Sequence, residues 1–369
     1  MNESAQHTHI DTVAFAATRM AYDAEHGEGA FELLALSDKL AACKRAAGLA
    51  PELVEDIASA STERPSLVWR LPDGLHENIP ADEYHVRELG LVNKGALDQV
   101  DHAPSVYEAW VKGLRESEDT PALRFGAALH CALLEPYVFA TTYAIRPEYP
   151  EPPRPLGDDG KPLDFRLKAN AEAKAAYAAE LAAYEAKVAA WEAEHAKHIV
   201  LDKEDAARIV RMVAALRAHP KASKLLQEGK GVREAVLRWT DEETGLACKG
   251  RVDLYREDLR ALIDLKSTQD ARESAFAASC ARYRYDVQQA FYTDGMRAIG
   301  KPVDVFAFVV VEKEYPHLVG VYTLGPESDA AGRRKMRANL ETLRECLDAG
   351  EFPGLPVEVT EIEMPRWAL

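Results

Sequence analysis

The order of strand-like and helical runs after residue 230 constrains the fold more than any other feature of the chain. Three strand-like runs come first, VREAVLRWTD, LACKGRVDLYRE and ALIDLKST. The polar turn DEETG between the first two favours a hairpin. Two helical runs follow, ARESAFAASCA and YDVQQAFYTDGMRAIG, and then two more strand-like runs, VDVFAFVVVEKE and HLVGVYTLG. Strands, helices and strands in this order predict an α+β or α/β core with a mixed β-sheet.

The charge of the chain limits how it can meet nucleic acid. The 369 residues carry 45 Lys+Arg against 61 Asp+Glu, a net charge of −16. A broadly basic coat for nucleic acid is therefore excluded, and any DNA contact needs a local basic surface. Residues 249–300 supply one candidate, because they hold nine Lys/Arg and eight Asp/Glu.

The apolar and cysteine patterns indicate a cytoplasmic protein. No stretch approaches the roughly 20 apolar residues of a membrane helix, and the first residues, MNESAQHTHIDTV, lack the order of a secretory signal. The five cysteines contain no CxxC pair, which disfavours a zinc ribbon and fits reduced thiols. We therefore expect a cytoplasmic location and no membrane partner.

Two segments look like additions to the core. Residues 1–65 predict a helical N-terminal extension of unknown role. Residues 148–200 predict an insertion made of a Pro-rich loop and an Ala-rich helix, preceded by the strand-like run VFATTYAIR. The Ala-rich helix carries an apolar stripe at helical spacing. We interpret it as a face packed on its own domain, and a face for a partner is the alternative. The stripe consists of Tyr177, Leu181, Tyr184, Val188 and Trp191.

The stretch GRVDLYREDLRALIDLKST contains the residues best suited to chemistry. Asp264 and Lys266 are two apart in one strand and therefore share a face. A hairpin can bring Asp253, on the preceding strand, beside them. Two carboxylates and an ammonium suit a hard divalent cation such as Mg²⁺, with the lysine orienting or deprotonating a water or stabilising charge on a phosphate. A structural salt bridge in the hairpin is the alternative.

Two helices contribute further candidates. His130 lies one helical turn after Gly126 in GAALHCALLEP, and a packed or surface histidine is the alternative to a metal ligand. Gln288 and Tyr292 lie at i and i+4 on one face of the helix after the D-x-K strand. A glutamine amide can bind a phosphate or a water, and a tyrosine can stack or donate a hydrogen bond. An ordinary amphipathic helix is the alternative.

Five motifs together resemble the RecE-type exonucleases, which are exodeoxyribonuclease VIII-like members of the PD-(D/E)XK nuclease superfamily from phage and prophage recombination modules. In chain order they are ADEYH…LGLVNKGALDQVDHAPSVYEAW, GAALHCALLEP, GRVDLY, LIDLKST and YRYDVQQAFYTDG, spread over residues 72–325. The resemblance implies that residues 66–369 form a restriction-endonuclease-like nuclease domain, with a mixed central sheet flanked by helices.

The resemblance also implies an activity. It is a Mg²⁺-dependent 5′→3′ exonuclease, with Mn²⁺ as a possible substitute, that acts on double-stranded DNA ends and leaves 3′ single strands for an annealing partner of the RecT type. A ring-like homo-oligomer is implied as well. The implied metal ligands are His130, Asp253, Asp264 and the Leu265 carbonyl. The implied catalytic residues are Lys266, Asp264, Asp253, Gln288 and Tyr292. The expected DNA contacts are Arg251, Thr268, Arg272, Arg282 and Arg284.

Two alternatives differ from this activity. A RecB-like nuclease or an endonuclease subunit of a DNA-processing complex keeps the chemistry and changes the substrate. A non-catalytic module that binds DNA ends keeps only the fold. No Walker A motif occurs in the chain, so any motor would be a separate protein.

Overall fold

The computed structural model of the chain describes residues 65–115, 120–227 and 230–364. The predicted N-terminal extension therefore lies outside the described residues except for Pro65. The described residues from Ser66 onward belong to one compact unit. Within these ranges no helix is both long and apolar enough to span a bilayer.

A seven-stranded mixed sheet forms the centre of the fold, as the order of strand-like runs predicts. Its strands are β1 (Gly74–His76), β2 (Leu91–Val92), β5 (Val232–Thr240), β6 (Ala247–Arg256), β7 (Ala261–Thr268), β8 (Val305–Glu312) and β9 (Val319–Tyr322). The spatial order is β1-β5-β6-β7-β8-β9, and β2 pairs with part of β6. The β7–β8 and β2–β6 pairs are parallel, and the other pairs are antiparallel.

The two central strands β7 and β8 are buried on both faces, which explains their continuous apolar sequences. Leu262 and Phe308 belong to the hydrophobic cluster on one face. Ile263 and Val309 belong to the cluster on the other face. Alternate residues thus supply two cores, and a polar residue in this part of the sheet is enclosed unless the helices leave a gap.

Helices cover both faces of the sheet. They are α1 (Leu67–Arg70), α2 (Ala81–His85), α3 (Lys94–His102), α4 (Pro104–Val111), α5 (Pro121–Leu134), α6 (Pro136–Thr142), α7 (Ala171–Glu194), α8 (Lys203–Ala218), α9 (Pro220–Leu225), α10 (Glu273–Arg282), α11 (Tyr285–Ala298) and α12 (Pro326–Ala349). The hydrophobic cluster that contains Leu262 packs under α3, α10, α11 and α12, and the cluster that contains Ile263 packs under α5, α8 and α9.

A separate two-stranded parallel sheet brackets the predicted insertion. It consists of β3 (Tyr143–Ile145) and β4 (Ile199–Leu201), and the Pro-rich loop and the Ala-rich helix α7 lie between these strands. No residue of α7 is buried, and its apolar stripe is only half-covered. Tyr177 in the stripe contacts Phe165, with ring centroids 5.8 Å apart. The division of the chain into extension, domain and insertion stays a prediction.

The prediction of a strand for VFATTYAIR is wrong for most of that segment. Residues Pro136–Thr142 form α6, and only Tyr143–Ile145 is extended. Valine and threonine favour strands, but Pro136 occupies the first turn of the helix, where proline is well tolerated. The stacking of Phe139 on Tyr143, with centroids 4.7 Å apart, adds a tertiary contact that local propensity does not include.

Candidate metal and catalytic site

The site forms where β6 and β7 separate. Their antiparallel pairing runs as far as Leu254 opposite Ile263, and the next residues on the two strands are Asp253 and Asp264. There the carboxylate of Asp253 accepts a hydrogen bond from the backbone N–H of Leu265, at 2.7 Å. This side-chain hydrogen bond therefore takes the place of a backbone hydrogen bond between the two strands. The divergence of the strands opens space beside both acids.

A third acid comes from the adjacent strand β5. Glu234 has φ 46°, a left-handed conformation that is unfavourable for a non-glycine residue. Strand pairing is intact on both sides of it, at Arg233 opposite Leu254 and at Ala235 opposite Val252. The kink is thus confined to one residue, at the position beside Asp253. Neighbouring positions of three adjacent strands carry Glu234, Asp253 and Asp264.

His130 on α5 completes a group of possible metal ligands. Its Nδ1 lies 3.5 Å from Oδ2 of Asp253 and 3.7 Å from Oε1 of Glu234. One ligand atom from each of these three side chains lies within 4.8 Å of the other two. Oε1 of Glu234 is buried and has no hydrogen-bond partner, an arrangement that is costly unless another group binds there. An imidazole and two carboxylates therefore fit a divalent cation.

The electrostatics of this group indicate excess negative charge. Burial lowers the pKa of His130, but the carboxylates of Asp253 and Glu234 outweigh it and raise that pKa to about 9. Burial raises the pKa of Asp253 to about 7, and Asp264 and Glu234 add to this effect while His130 opposes it. Both groups thus hold protons more tightly than usual, His130 because the carboxylates favour its positive charge and Asp253 mainly because burial disfavours its negative charge.

Asp264 is almost fully enclosed and forms two close contacts. It is 3% exposed, its Oδ2 lies 2.5 Å from Nζ of Lys266, and its Oδ1 accepts from Nε2 of Gln288 at 2.5 Å. The shared face of Asp264 and Lys266 expected from their spacing is therefore observed. Burial lowers the pKa of Lys266, but Asp264 and Asp253 outweigh it and raise the pKa. The lysine is held as an ammonium beside the acids.

Arg251 orients Glu234, one of the possible ligands. Its Nε donates to Oε2 of Glu234 at 2.9 Å, and its guanidinium lies 3.9 Å from the carboxylate of Glu135. One donor of Arg251 is therefore engaged with Glu234, and its charge also faces Glu135. Its expected contact with DNA stays a prediction, and its observed contacts are those of a positioning residue.

Tyr292 packs against β6 close to the acids, since burial raises its pKa well above the usual range and Asp264 and Asp253 add to this effect. A Cβ atom on Gly250 would lie 2.8 Å from its ring, so the glycine allows the close approach of α11 to the sheet. Burial raises the pKa of Tyr84 to about 12, and a hydrogen bond with Tyr292 opposes this effect. Tyr292 thus packs under the site, and its catalytic role stays a prediction.

The other expected DNA contacts lie along the turns that follow β7 and α10. Thr268 donates to the carbonyl oxygen of Asp270 at 3.2 Å, and Arg272 forms a 2.6 Å ion pair with Asp270 while staying largely exposed. Arg282 is exposed. The guanidinium of Arg284 is engaged inside the protein, 2.7 Å from Oδ1 of Asn339. Their roles towards DNA stay predictions.

Sequence reasoning missed Glu234 and Glu135. Glu234 stands in VREAVL among apolar strand residues, and a carboxylate inside such a run was the available signal. No local sequence pattern predicts the left-handed backbone conformation that turns the Glu234 side chain towards His130. Glu135 caps the end of α5 and belongs to the same sequence motif as His130. Burial is the main cause that raises its pKa to about 7, and that burial is visible only in the tertiary structure.

The mixed sheet, the covering helices and the acid–lysine group on diverging strands define the class, the PD-(D/E)XK nuclease superfamily. Within this class, the chain belongs to the family described as "PDDEXK-like domain of unknown function (DUF3799)", whose profile matches residues 95–362. The resemblance found in the sequence is thus confirmed for the superfamily and for the fold. The RecE-type assignment stays a prediction.

Two further comparisons concern individual proteins. Among solved structures, the chain is similar to one from Eubacterium rectale described as a "putative exonuclease", with 11% identity and a TM-score of 0.48. The match covers 78% of this chain and 96% of that chain. No curated protein matches the chain.

Proposed function

We propose that the chain is a divalent-metal-dependent exonuclease that hydrolyses phosphodiester bonds at double-stranded DNA ends. The observation that carries the proposal is the convergence of His130, Glu234 and Asp253 beside the Asp264–Lys266 pair. Four nitrogen- and oxygen-bearing groups around one lysine are well suited to phosphoryl chemistry, and no other cluster of three or more possible ligands occurs in the described parts of the chain.

His130, Glu234 and Asp253 would hold the metal. Asp264, which pairs with Lys266, and the Leu265 carbonyl stay predicted as further ligands. When bound, a divalent cation polarises a phosphoryl oxygen and lowers the pKa of a bound water. Mg²⁺ is the ion we propose, because the group offers mainly carboxylate oxygens, and Mn²⁺ is the substitute.

The residues of the chain supply orientation and charge. Lys266 is fixed by Asp264 at 2.5 Å, so its ammonium can donate to a non-bridging phosphate oxygen and stabilise the charge that develops on it. Gln288 holds the other oxygen of Asp264 at 2.5 Å, which keeps the carboxylate from rotating. Arg251 fixes Glu234 in the same way at 2.9 Å.

The proposal also includes the more specific properties that were expected from the sequence. They are 5′→3′ polarity, 3′ single-stranded products, an annealing partner of the RecT type, a ring-like oligomer and a cytoplasmic location. The sequence resemblance supports them. The half-covered apolar stripe on α7 is compatible with contacts to another protein.

The test is digestion of duplex DNA labelled at the 5′ end or the 3′ end, as a linear fragment and as a closed circle, with Mg²⁺, Mn²⁺ or Ca²⁺. We expect Mg²⁺ and Mn²⁺ to support loss of the linear form only, with early release of the 5′ label as short products. Nicking of the circle would instead favour an endonuclease. Binding of ends without digestion by any metal would favour the non-catalytic module.

A further inference from the structure

Two tyrosines form a ladder that leads outward from Lys266. Nζ of Lys266 lies 4.7 Å from the ring centroid of Tyr285. That ring stacks on Tyr283, with centroids 5.7 Å apart and planes at 27°, and also on the buried ring of Phe308 at 5.8 Å. Tyr283 is 50% exposed. The inner ring is therefore fixed in the core, and the outer ring presents its surface to solvent.

The turn that carries the ladder is held rigidly. Arg284 adopts a left-handed conformation, φ 53°, between α10 and α11. Its guanidinium bonds to Oδ1 of Asp98 at 3.1 Å and to Oδ1 of Asn339 at 2.7 Å. Nζ of Lys94 donates to the carbonyl oxygen of Tyr283 at 2.6 Å. Helices α3, α11 and α12 thus fix the backbone of the ladder before any ligand arrives.

A pocket lies beside the ladder. Its volume is about 390 Å³, within the ~300–1,000 Å³ of typical ligand sites. Within the described ranges, Arg282 has no carboxylate partner, and its guanidinium lies 5.5 Å from the centroid of the Tyr283 ring. The pocket is lined by Lys94, Asp98, Arg282, Tyr283, Arg284 and Tyr285. It therefore combines an exposed aromatic face with an uncommitted cation.

We propose that this tyrosine ladder is a stacking subsite for an unpaired nucleobase of the DNA strand held at the site. The inference rests on the proposed nuclease function and adds a position for a base at the outer end of the ladder, on the same strand as the reacting phosphate. The base stacks on Tyr283 in place of the Arg282 guanidinium, which turns to the phosphate of the same nucleotide. Aromatic stacking accepts any base, so the subsite holds a strand without reading its sequence.

An unpaired base fits better than a base inside a duplex. Inside a duplex the neighbouring base pairs cover both faces of each base, and a terminal pair leaves one face free, whereas an unpaired base can turn either face to the ring. Tyr285 contacts both Lys266 and Tyr283, so one aromatic ring links the subsite to the lysine. The ladder therefore favours strand ends that have separated from their partner.

The test is binding of a short single-stranded oligonucleotide that carries 2-aminopurine, whose fluorescence is quenched when the base stacks. The full chain with Asp253→Asn is used without metal, so that the DNA is not cut. We expect Tyr283→Ala to weaken binding about tenfold and to abolish quenching. Tyr283→Phe should change neither by more than about twofold, because the ring is kept. Arg282→Ala should weaken binding and leave quenching intact.

The matched control is Tyr177→Ala, which removes one ring of the Tyr177–Phe165 pair on the insertion and should change nothing. Unchanged binding and quenching in Tyr283→Ala would overturn the subsite, as would equal binding of blunt duplex ends. The two proposals are separable. If the wild type cleaves DNA and Tyr283→Ala still quenches the 2-aminopurine fluorescence, only the stacking subsite is contradicted. If the wild type quenches the fluorescence but cleaves no DNA, only the nuclease function is contradicted.

Discussion

Glu234 shows how a single backbone angle places a possible metal ligand. In an ordinary strand its side chain would follow the alternation of β5, but φ 46° turns it so that Oε1 lies 3.7 Å from His130. A left-handed non-glycine residue costs about 1–3 kcal/mol and persists only where its surroundings impose it. Here the ion pair with Arg251 at 2.9 Å helps to impose it. Such strain is typical of functional positions.

Glu234→Gln should weaken binding of Mn²⁺ by about tenfold or more, because the amide keeps the shape of the side chain and removes one negative charge from the ligand group. Calorimetric titration with Mn²⁺ measures this. Glu192→Gln, at an exposed position on α7, is the control and should bind as the wild type does. Equal Mn²⁺ affinity in Glu234→Gln would remove Glu234 from the ligand set.

Glu135 gives a pH-dependent prediction. Burial, helped by Glu234 and opposed by Arg251, raises its pKa from 4.5 to about 7. Between these values the folded chain keeps a proton that the unfolded chain has released. Its stabilising contribution is therefore complete below about pH 4.5 and is lost as the pH rises through about 7.

From pH 5 to pH 8, the free energy of unfolding should thus fall by about 1–3 kcal/mol more in the wild type than in Glu135→Gln. Urea unfolding at both pH values measures this difference. If the two chains respond to pH identically, Glu135 titrates normally and its environment is more polar than the structure shows.

At the scale of elements, the divergence of β6 and β7 creates the site. The sequence was sufficient to predict both strands, the hairpin before them and the shared face of Asp264 and Lys266, because strand alternation is local. It was not sufficient for Glu234, whose position depends on one unusual angle. It also failed for α6, where Pro136 and packing outweighed the strand propensity of the residues that follow.

The close packing of α11 and α12 depends on a glycine. A Cβ atom on Gly332 would lie 2.2 Å from the carbonyl oxygen of Asp286, so Gly332→Ala must push the helices apart. We expect a loss of about 1–3 kcal/mol in the free energy of unfolding. Gly325→Ala, at a position with open space around it, should cost far less. Equal stability of both variants would show that the helices are not in this contact.

At the scale of the whole molecule, the charge is negative both overall and at the candidate site. The chain carries −16, and the candidate ligand group adds carboxylates where, in the proposed function, a DNA phosphate approaches. We expect Ca²⁺, relative to EDTA, to strengthen binding of linear duplex to Lys266→Met by about tenfold, because the cation offsets the acids. A gel-shift titration measures this. Equal binding in EDTA would mean that DNA is held away from the acids.

The most direct measurement of the central claim is single-turnover cleavage of end-labelled linear duplex with Mg²⁺. The wild type is compared with Lys266→Met, Asp253→Asn and the control Tyr177→Ala, all verified as folded. The account predicts cleavage by the wild type and by the control, with rates about 10²–10³-fold lower in the two site variants. Wild-type rates in both site variants would contradict it.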